Sequence, residues 1–445
     1  MNRVKNKVYI DTLGCPKNFS DSESAAAALS AAGFVMTDKP ETADFIMVNT
    51  CGFIEDAKRE SVEHIFDMSR VLRKGAKLVV SGCLSQRYAD ELFSEMPEAD
   101  CFIGVNQYDE LPEILDSLGE DRQVHYAGCG KGALPRQARV PGNNPYSATL
   151  KIAEGCSNAC SYCIIPAIRG GYRSKLLEDA LAEAMELAEA GTKELILIAQ
   201  DLTYYGIDIY GKPMLAELLR RLCRIDGIRW IRLMYCYDEN ITDEFIEVMK
   251  NEDKICKYID IPIQHASDRI LHMMNRKSDF SGIQEKLTHL RTAMPGIRIR
   301  TTLMVGFPGE TDEDYEALCD MVAREKFDRL GVFAYSQEEG TSAAAMEEQI
   351  PDDVKQMRLD NIMRMQMEIS RENNRLLIGS ILECIVDEAG VDGSYVGRTR
   401  FDAPEIDGSV IFTSEKMLEP GDLIDVRITD SFDYDLTGVA VCRKE

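Results

Sequence analysis

The chain has 445 residues, 45% hydrophobic and 29% charged, with fourteen cysteines and a formal net charge of −25. That length predicts roughly two to four domains with a sizeable core, and no apolar run is long enough for a membrane span. The charge opposes a surface built to hold a polyanion and suits a basic partner. The polar start, Met1 to Asn6, shows no signal-peptide pattern, so a cytoplasmic, reducing setting is expected, with thiols binding metal rather than pairing.

In chain order, Lys7 to Thr12 predicts a strand, followed by a helix over Ser20 to Ala32 with Ser20 or Asp21 as its cap. A second strand over Asp44 to Asn49, a helix from Ile54 to Leu72 and a third strand over Lys77 to Ser81 complete the pattern. Strands alternating with helices predict a parallel α/β sheet. Cys15, Cys51 and Cys83 each follow a strand beside a glycine, in loops that share one edge of such a sheet. They therefore converge as a second metal-binding triad; three separate core thiols is the alternative. Cys101 follows an acidic stretch and is expected to be buried structure. From Gly119 to Ser147, Gly, Pro and Asn accumulate as in a linker, and Cys129 within it is left unassigned.

The stretch Gly155-Cys156-Ser157-Asn158-Ala159-Cys160-Ser161-Tyr162-Cys163 places three cysteines at C-x3-C-x2-C after an apolar strand. Three thiolates leave one iron of a four-iron cluster open to a small molecule, whereas structural zinc wants a fourth ligand nearby. Further strands are expected at Leu150–Ala153, Leu195–Ala199, Ile228–Met234, Tyr258–Ile263, Ile297–Val305 and Leu330–Tyr335, with helices such as Glu178–Ala190 and Thr311–Glu325 between them. Six β/α units predict an incomplete barrel whose chemistry lies at the C-terminal strand ends. Gln200, Asp201, Gln264, His265 and Gly306-Phe307-Pro308-Gly309-Glu310 fall at such ends. Arg169, Arg173 and Lys175 are placed either to hold a carboxylate or phosphate or in a solvated loop.

Pro351 to Arg375 predicts one long helix with Met357, Met363, Met365 and Met367 as a packing face. Beyond it, short alternating runs at Ile381–Val386, Ser394–Arg398, Val410–Thr413 and Leu423–Ile428 predict a small antiparallel β-barrel. From Ser380 to Glu445 there are 15 Asp and Glu against 6 Lys and Arg, a net of −9. A nucleic-acid barrel should be basic, so nucleic acid is not expected as the direct substrate. The domains are accordingly 1–120, a linker 121–147, 148–375 and 376–445.

The cysteine motif with its aromatic Tyr162 resembles the radical S-adenosylmethionine enzymes. The whole chain from Lys7 to Val441 is similar to their methylthiotransferase family. Thr12-Leu13-Gly14-Cys15-Pro16-Lys17-Asn18, Asn49-Thr50-Cys51-Gly52-Phe53-Ile54 and Gly397 to Gly408 resemble the branch that modifies a ribosomal protein. The resemblance implies two 4Fe-4S clusters, one on Cys156, Cys160 and Cys163 and an auxiliary one on Cys15, Cys51 and Cys83. It also implies S-adenosylmethionine near Tyr162, Gln200, Gln264, Gly306 and Glu310, and a C-terminal TRAM barrel. The implied reaction replaces a β-carbon hydrogen of an aspartate in small-subunit ribosomal protein twelve with a methylthio group. The alternatives are a transfer-RNA adenosine methylthiotransferase and a non-catalytic iron–sulfur or zinc protein. The electron donor is not implied.

Overall fold

The computed structural model describes residues 6–126, 128, 130–139 and 144–441; Cys129 lies outside them. The first sheet contains β1 (Lys7–Thr12), β2 (Val35–Met36), β3 (Phe45–Thr50), β4 (Lys77–Gly82), β5 (Cys101–Ile103) and β6 (Gln123–His125). Its order is β2-β1-β3-β4-β5-β6, parallel throughout. β3 and β4 are almost wholly buried because helices cover both faces, as a parallel sheet requires. The first helix, Pro16–Ala31, begins four residues earlier than Ser20. Its N-cap is Cys15, and Pro16 takes the first turn, where a missing N–H costs nothing. Cys101 is buried, but as the first residue of a strand.

The central sheet holds β7 (Ser147–Lys151), β10 (Glu194–Ile198), β11 (Trp230–Leu233), β12 (Ile255–Gln264), β13 (Arg298–Val305) and β14 (Arg329–Ala334). They run parallel in the order β14-β13-β12-β11-β10-β7, the six-stranded open barrel expected. A small antiparallel pair, β8 (Ala153–Glu154) with β9 (Arg173–Ser174), frames the C-x3-C-x2-C loop. One face of the sheet packs on helices through Leu195, Leu197, Ile231, Leu233, Ile261 and Leu303. Alternate residues face the concave side.

The C-terminal strands β15 (Ile381–Ala389), β16 (Ser394–Thr399), β17 (Val410–Thr413), β18 (Leu423–Ser431) and β19 (Leu436–Val441) close a barrel. β19 was not anticipated, and its pairing with β17 is parallel, so the barrel is not uniformly antiparallel. The barrel seals the lower concave face of the central sheet. Arg232 donates to Glu194, Arg398 pairs with Glu194 and Asp387, Tyr258 donates to Asp407 and Trp230 to Glu383. The long helix Asp352–Arg375 packs on β14 and reaches β18. Its buried face is mainly Arg358, Ile362, Gln366, Ile369 and Ser370; Met363 and Met365 pack against the core as expected, while Met357 is exposed. Among the described residues no helix is long and apolar enough to cross a membrane.

Candidate active site

The first cysteine triad is assembled by neighbouring strands. β1, β3 and β4 lie side by side, and Cys15, Cys51 and Cys83 follow their C-terminal ends. Strands stand about 4.8 Å apart, which brings distant sequence positions to one short edge. Cys15 caps one helix and Cys83 begins another, where free N–H groups and the helix dipole favour a thiolate. The loops approach closely: a β-carbon on Gly14 (φ +87°) would stand 2.7 Å from Cys51 Cβ. Asn18 ties them together, its Nδ2 donating to the Leu13 (2.8 Å) and Thr50 (3.1 Å) carbonyls. Burial pushes the Cys51 thiol up to about 12 and also raises Cys83, against the pull of Arg169.

The second triad is local. The Cys156 N–H donates to the Gly170 carbonyl at 2.9 Å and the Cys163 N–H to that of Cys160 at 3.1 Å. Gly155 (φ +78°) has no room for a β-carbon, which would lie 2.3 Å from the Gly171 carbonyl oxygen. The loop is clamped from outside: Ser161 donates to Met273 and Met274 carbonyls, and Asn275 donates to that of Ala159. Burial pushes Cys156 up to about 11 and Cys163 to about 12. Thiols raised in this way ionise only with help, and a bound cation of high charge supplies it. Among the described residues no three His, Cys, Asp or Glu side chains stand close enough together to hold a metal ion.

Between the triads runs a buried charged seam. Arg169 lies 3.3 Å from Cys83 Sγ and donates to Asn18 Oδ1 (2.7 Å), Asp21 (3.1 Å) and Glu154 (3.0 Å). Lys151 joins Asp21 and Glu154 as well. Burial alone would raise Glu154, but Arg169 and Lys151 hold its carboxylate well below the usual range. Gln200 Nε2 donates to the same carboxylate at 3.1 Å. The seam therefore links the edge that carries Cys15, Cys51 and Cys83 to the strand that leads into the C-x3-C-x2-C loop. A further bridge closes the outer side, where buried Glu338 accepts from Arg87 (2.7 Å) and Lys58 (3.1 Å) of the first domain.

Of the expected cofactor contacts, Gln200 and Tyr162 stand at the second triad. Gln200 Oε1 is buried without a hydrogen-bond partner. Tyr162 is enclosed by Phe307, Tyr335 and Met274 and is within electrostatic reach of Cys160 and Cys163. Gln264 ends β12 in a left-handed conformation (φ 72°), as Tyr235 (φ 63°) does after β11. Non-glycine residues held there mark over-determined sites. Gly306 and Glu310 serve the chain itself. A β-carbon on Gly306 would meet Lys355, and the Glu310 carboxylate accepts from the Gly306 N–H (2.8 Å) and Arg358 (2.6 Å).

Two of the three basic residues expected either to hold a carboxylate or phosphate or to lie in a solvated loop hold carboxylates of the chain itself. Arg169 is consumed by the seam, and buried Lys175 binds Glu183 at 2.5 Å. Arg173 stays partly exposed near Asn106. Asp201 caps the following turn through Thr203, and His265 is wholly buried, accepting from the Ser267 N–H. The sequence shows Lys17 and Asn18 only as motif residues and Asp21 only as a cap, and it does not single out Glu154; their meeting depends on how the two domains dock.

The first domain matches the Uncharacterized protein family UPF0004 over residues 7–104, the central one the Radical SAM superfamily over 150–322, and the barrel the TRAM domain over 378–441. Among solved structures, the radical S-adenosylmethionine methyltransferase TsrM of Kitasatospora setae shares the fold at a TM-score of 0.56 and 15% identity. It covers 74% of this chain and 73% of its own. Full-length relatives are much nearer. The chain is 47% identical to ribosomal protein uS12 methylthiotransferase RimO of Anaeromyxobacter sp. (strain Fw109-5), covering 98% of this chain and 93% of the relative. It is also 47% identical to that of Thermoanaerobacter sp. (strain X514), over 98% and 100%. For the protein of the same name from Clostridioides difficile (strain 630) the figures are 46%, 97% and 98%. With two adjoining cysteine triads, a radical S-adenosylmethionine core and a TRAM barrel, the chain belongs to the RimO family of methylthiotransferases.

Proposed function

We propose that this chain is a cytoplasmic enzyme that transfers a methylthio group to the β-carbon of an aspartate in ribosomal protein uS12. Cys156, Cys160 and Cys163 are the ligands of the radical 4Fe-4S cluster, and Cys15, Cys51 and Cys83 those of an auxiliary one. The observation that carries this reading is that Arg169, six residues after Cys163 in sequence, bonds Cys83 of the other triad together with Asp21 and Glu154. An inert C–H bond needs a radical, and sulfur must wait within its reach. The donor sets fit: Cys15, Cys51 and Cys83 each adjoin a glycine and Cys156 follows Gly155, where backbone approaches closely, with an orphaned Gln200 oxygen at the second set. When bound, the two clusters and S-adenosylmethionine supply the deoxyadenosyl radical and the sulfur.

The chain's own residues bind and orient. Arg169 steadies Cys83 through hydrogen bonds and shields the buried carboxylates. Gln200 and Tyr162 line the cofactor side, and Gly306 with Glu310 fixes the turn beside it. The barrel presents Glu388, Asp392, Glu405, Glu415, Glu419 and Asp430 outward against exposed Lys416 and Arg427, while Arg398 is turned inward. That surface would dock a basic ribosomal protein with strong salt dependence.

Anaerobic reconstitution tests the reading. About eight irons and eight sulfides per chain are expected, with deoxyadenosine formed from S-adenosylmethionine under reduction. A chain that holds only zinc and leaves S-adenosylmethionine intact would overturn it.

A further inference from the structure

Lys17 stands apart from every other buried cation near the site. Arg169, Lys151 and Lys175 each have carboxylate partners. Lys17 is 7% exposed, yet among the described residues no carboxylate lies within ion-pair distance of it. Burying an unpaired ammonium is costly, so a position that keeps one is waiting for an anion.

Its place says which anion. Lys17 is two residues after Cys15; burial lowers its ammonium, Cys15, Glu154 and Cys83 pull the other way without an ion pair, and its charge also reaches Cys156 of the other triad. Its Nζ lies 4.2 Å over the ring of Tyr235, on the opposite wall, rather than folded back on its own domain. Tyr235 is itself held left-handed at the end of β11, with its N–H donating to Asp260. Further along the sheet Met304 pairs with Phe333 across β13 and β14, and Phe333 is 51% exposed. Arg169 already bonds Cys83, and the Lys17 ammonium lies over Tyr235 rather than on a thiolate.

Resting on the function proposed above, we propose that Lys17 is the specificity-determining residue that receives the side-chain carboxylate of the acceptor aspartate. The carboxylate is bonded to the β-carbon that reacts, so an ion pair at Lys17 places that carbon between the triads. The aromatic face of Tyr235 steadies the ammonium while the site is empty of substrate. The site thus selects an acidic side chain, and the matching amide loses the charged partner.

The test uses the full chain, loaded anaerobically, and intact uS12 beside a form whose target aspartate, located by mass spectrometry, is replaced by Asn. Wild type should bind native uS12 roughly thirtyfold tighter than the Asn form. Lys17→Met should bind both alike at the weaker level, with Lys17→Arg recovering part of the preference; iron content confirms that each variant is folded and loaded. A Lys17→Met chain that keeps the wild-type preference, or a wild type that shows none, overturns the assignment while methylthiolation of uS12 leaves the broader reading standing. A wild type that never modifies uS12 sinks that reading, and this one with it.

Discussion

The two cysteine triads face one another across a domain boundary and are built by opposite means. Cys156, Cys160 and Cys163 are neighbours on one loop, and the clamps on that loop come from Met273, Met274 and Asn275 of the same domain. Cys15, Cys51 and Cys83 are neighbours only because β1, β3 and β4 are adjacent in a parallel sheet. The loop triad is thus a local property, and the strand-end triad is as durable as the sheet that creates it. Only the strand-end triad depends on the docking of domains for its partners, since Arg169 reaches Cys83 from the other side.

The comparison breaks most sharply on single cysteines. Cys156→Ala should lose about half the iron of the chain and reduce deoxyadenosine formation to background. Cys51→Ala should lose a similar share yet keep forming deoxyadenosine while making no methylthiolated product. Equal loss of both activities in both variants would show that the triads are not separable.

Removing the link between them comes next. Arg169→Met leaves Asp21 and Glu154 buried with Lys151 alone, and should lower the unfolding free energy of the metal-free chain by about 3–5 kcal/mol in urea. Arg169→Lys keeps the charge without the fork and should cost less. A loss below about 1 kcal/mol would mean the seam is not what joins the domains.

A smaller effect is expected at the outer bridge. Glu338→Gln touches neither triad but weakens the contacts with Arg87 and Lys58, at a cost of about 1–3 kcal/mol. Hydrogen exchange should rise in Glu55–Val71 and Cys83–Glu95, with more deoxyadenosine spent per product.

The smallest effect near neutrality belongs to the barrel contact. Burial would raise Glu194, but Arg398 and Arg232 depress it to about 2. Because its folded value lies below the ordinary 4.5, its stabilisation is complete above that pH and is lost as pH falls through about 2. Acid unfolding of Glu194→Gln should therefore lack this component, while between pH 5 and 8 the group adds no pH dependence in wild type.

Much of this was legible in the sequence, for physical reasons that also explain the rest. Apolar runs bounded by Gly-Cys placed β1, β3 and β4 to within a residue or two, and parallel topology then implied that their cysteines converge. The short strands β2, β5 and β6 carry too few residues for periodicity to register. The first helix was set late because Ser20 and Asp21 look like caps; they are buried where the domains meet, and Pro16 was the better signal. Lys175 looked like a ligand group because charge after a motif does not reveal Glu183 as its partner. Lys17 and Arg169 lie far apart in sequence, and nothing local shows that both reach the same gap.

The most direct measurement offers both acceptors at once. The reconstituted chain would be incubated anaerobically with S-adenosylmethionine, reductant and sulfide, in the presence of uS12 and transfer RNA, and both would be read by mass spectrometry. The account predicts a methylthio group on an aspartate of uS12 and none on the RNA. A methylthio group on adenosine, with uS12 unchanged, would contradict it.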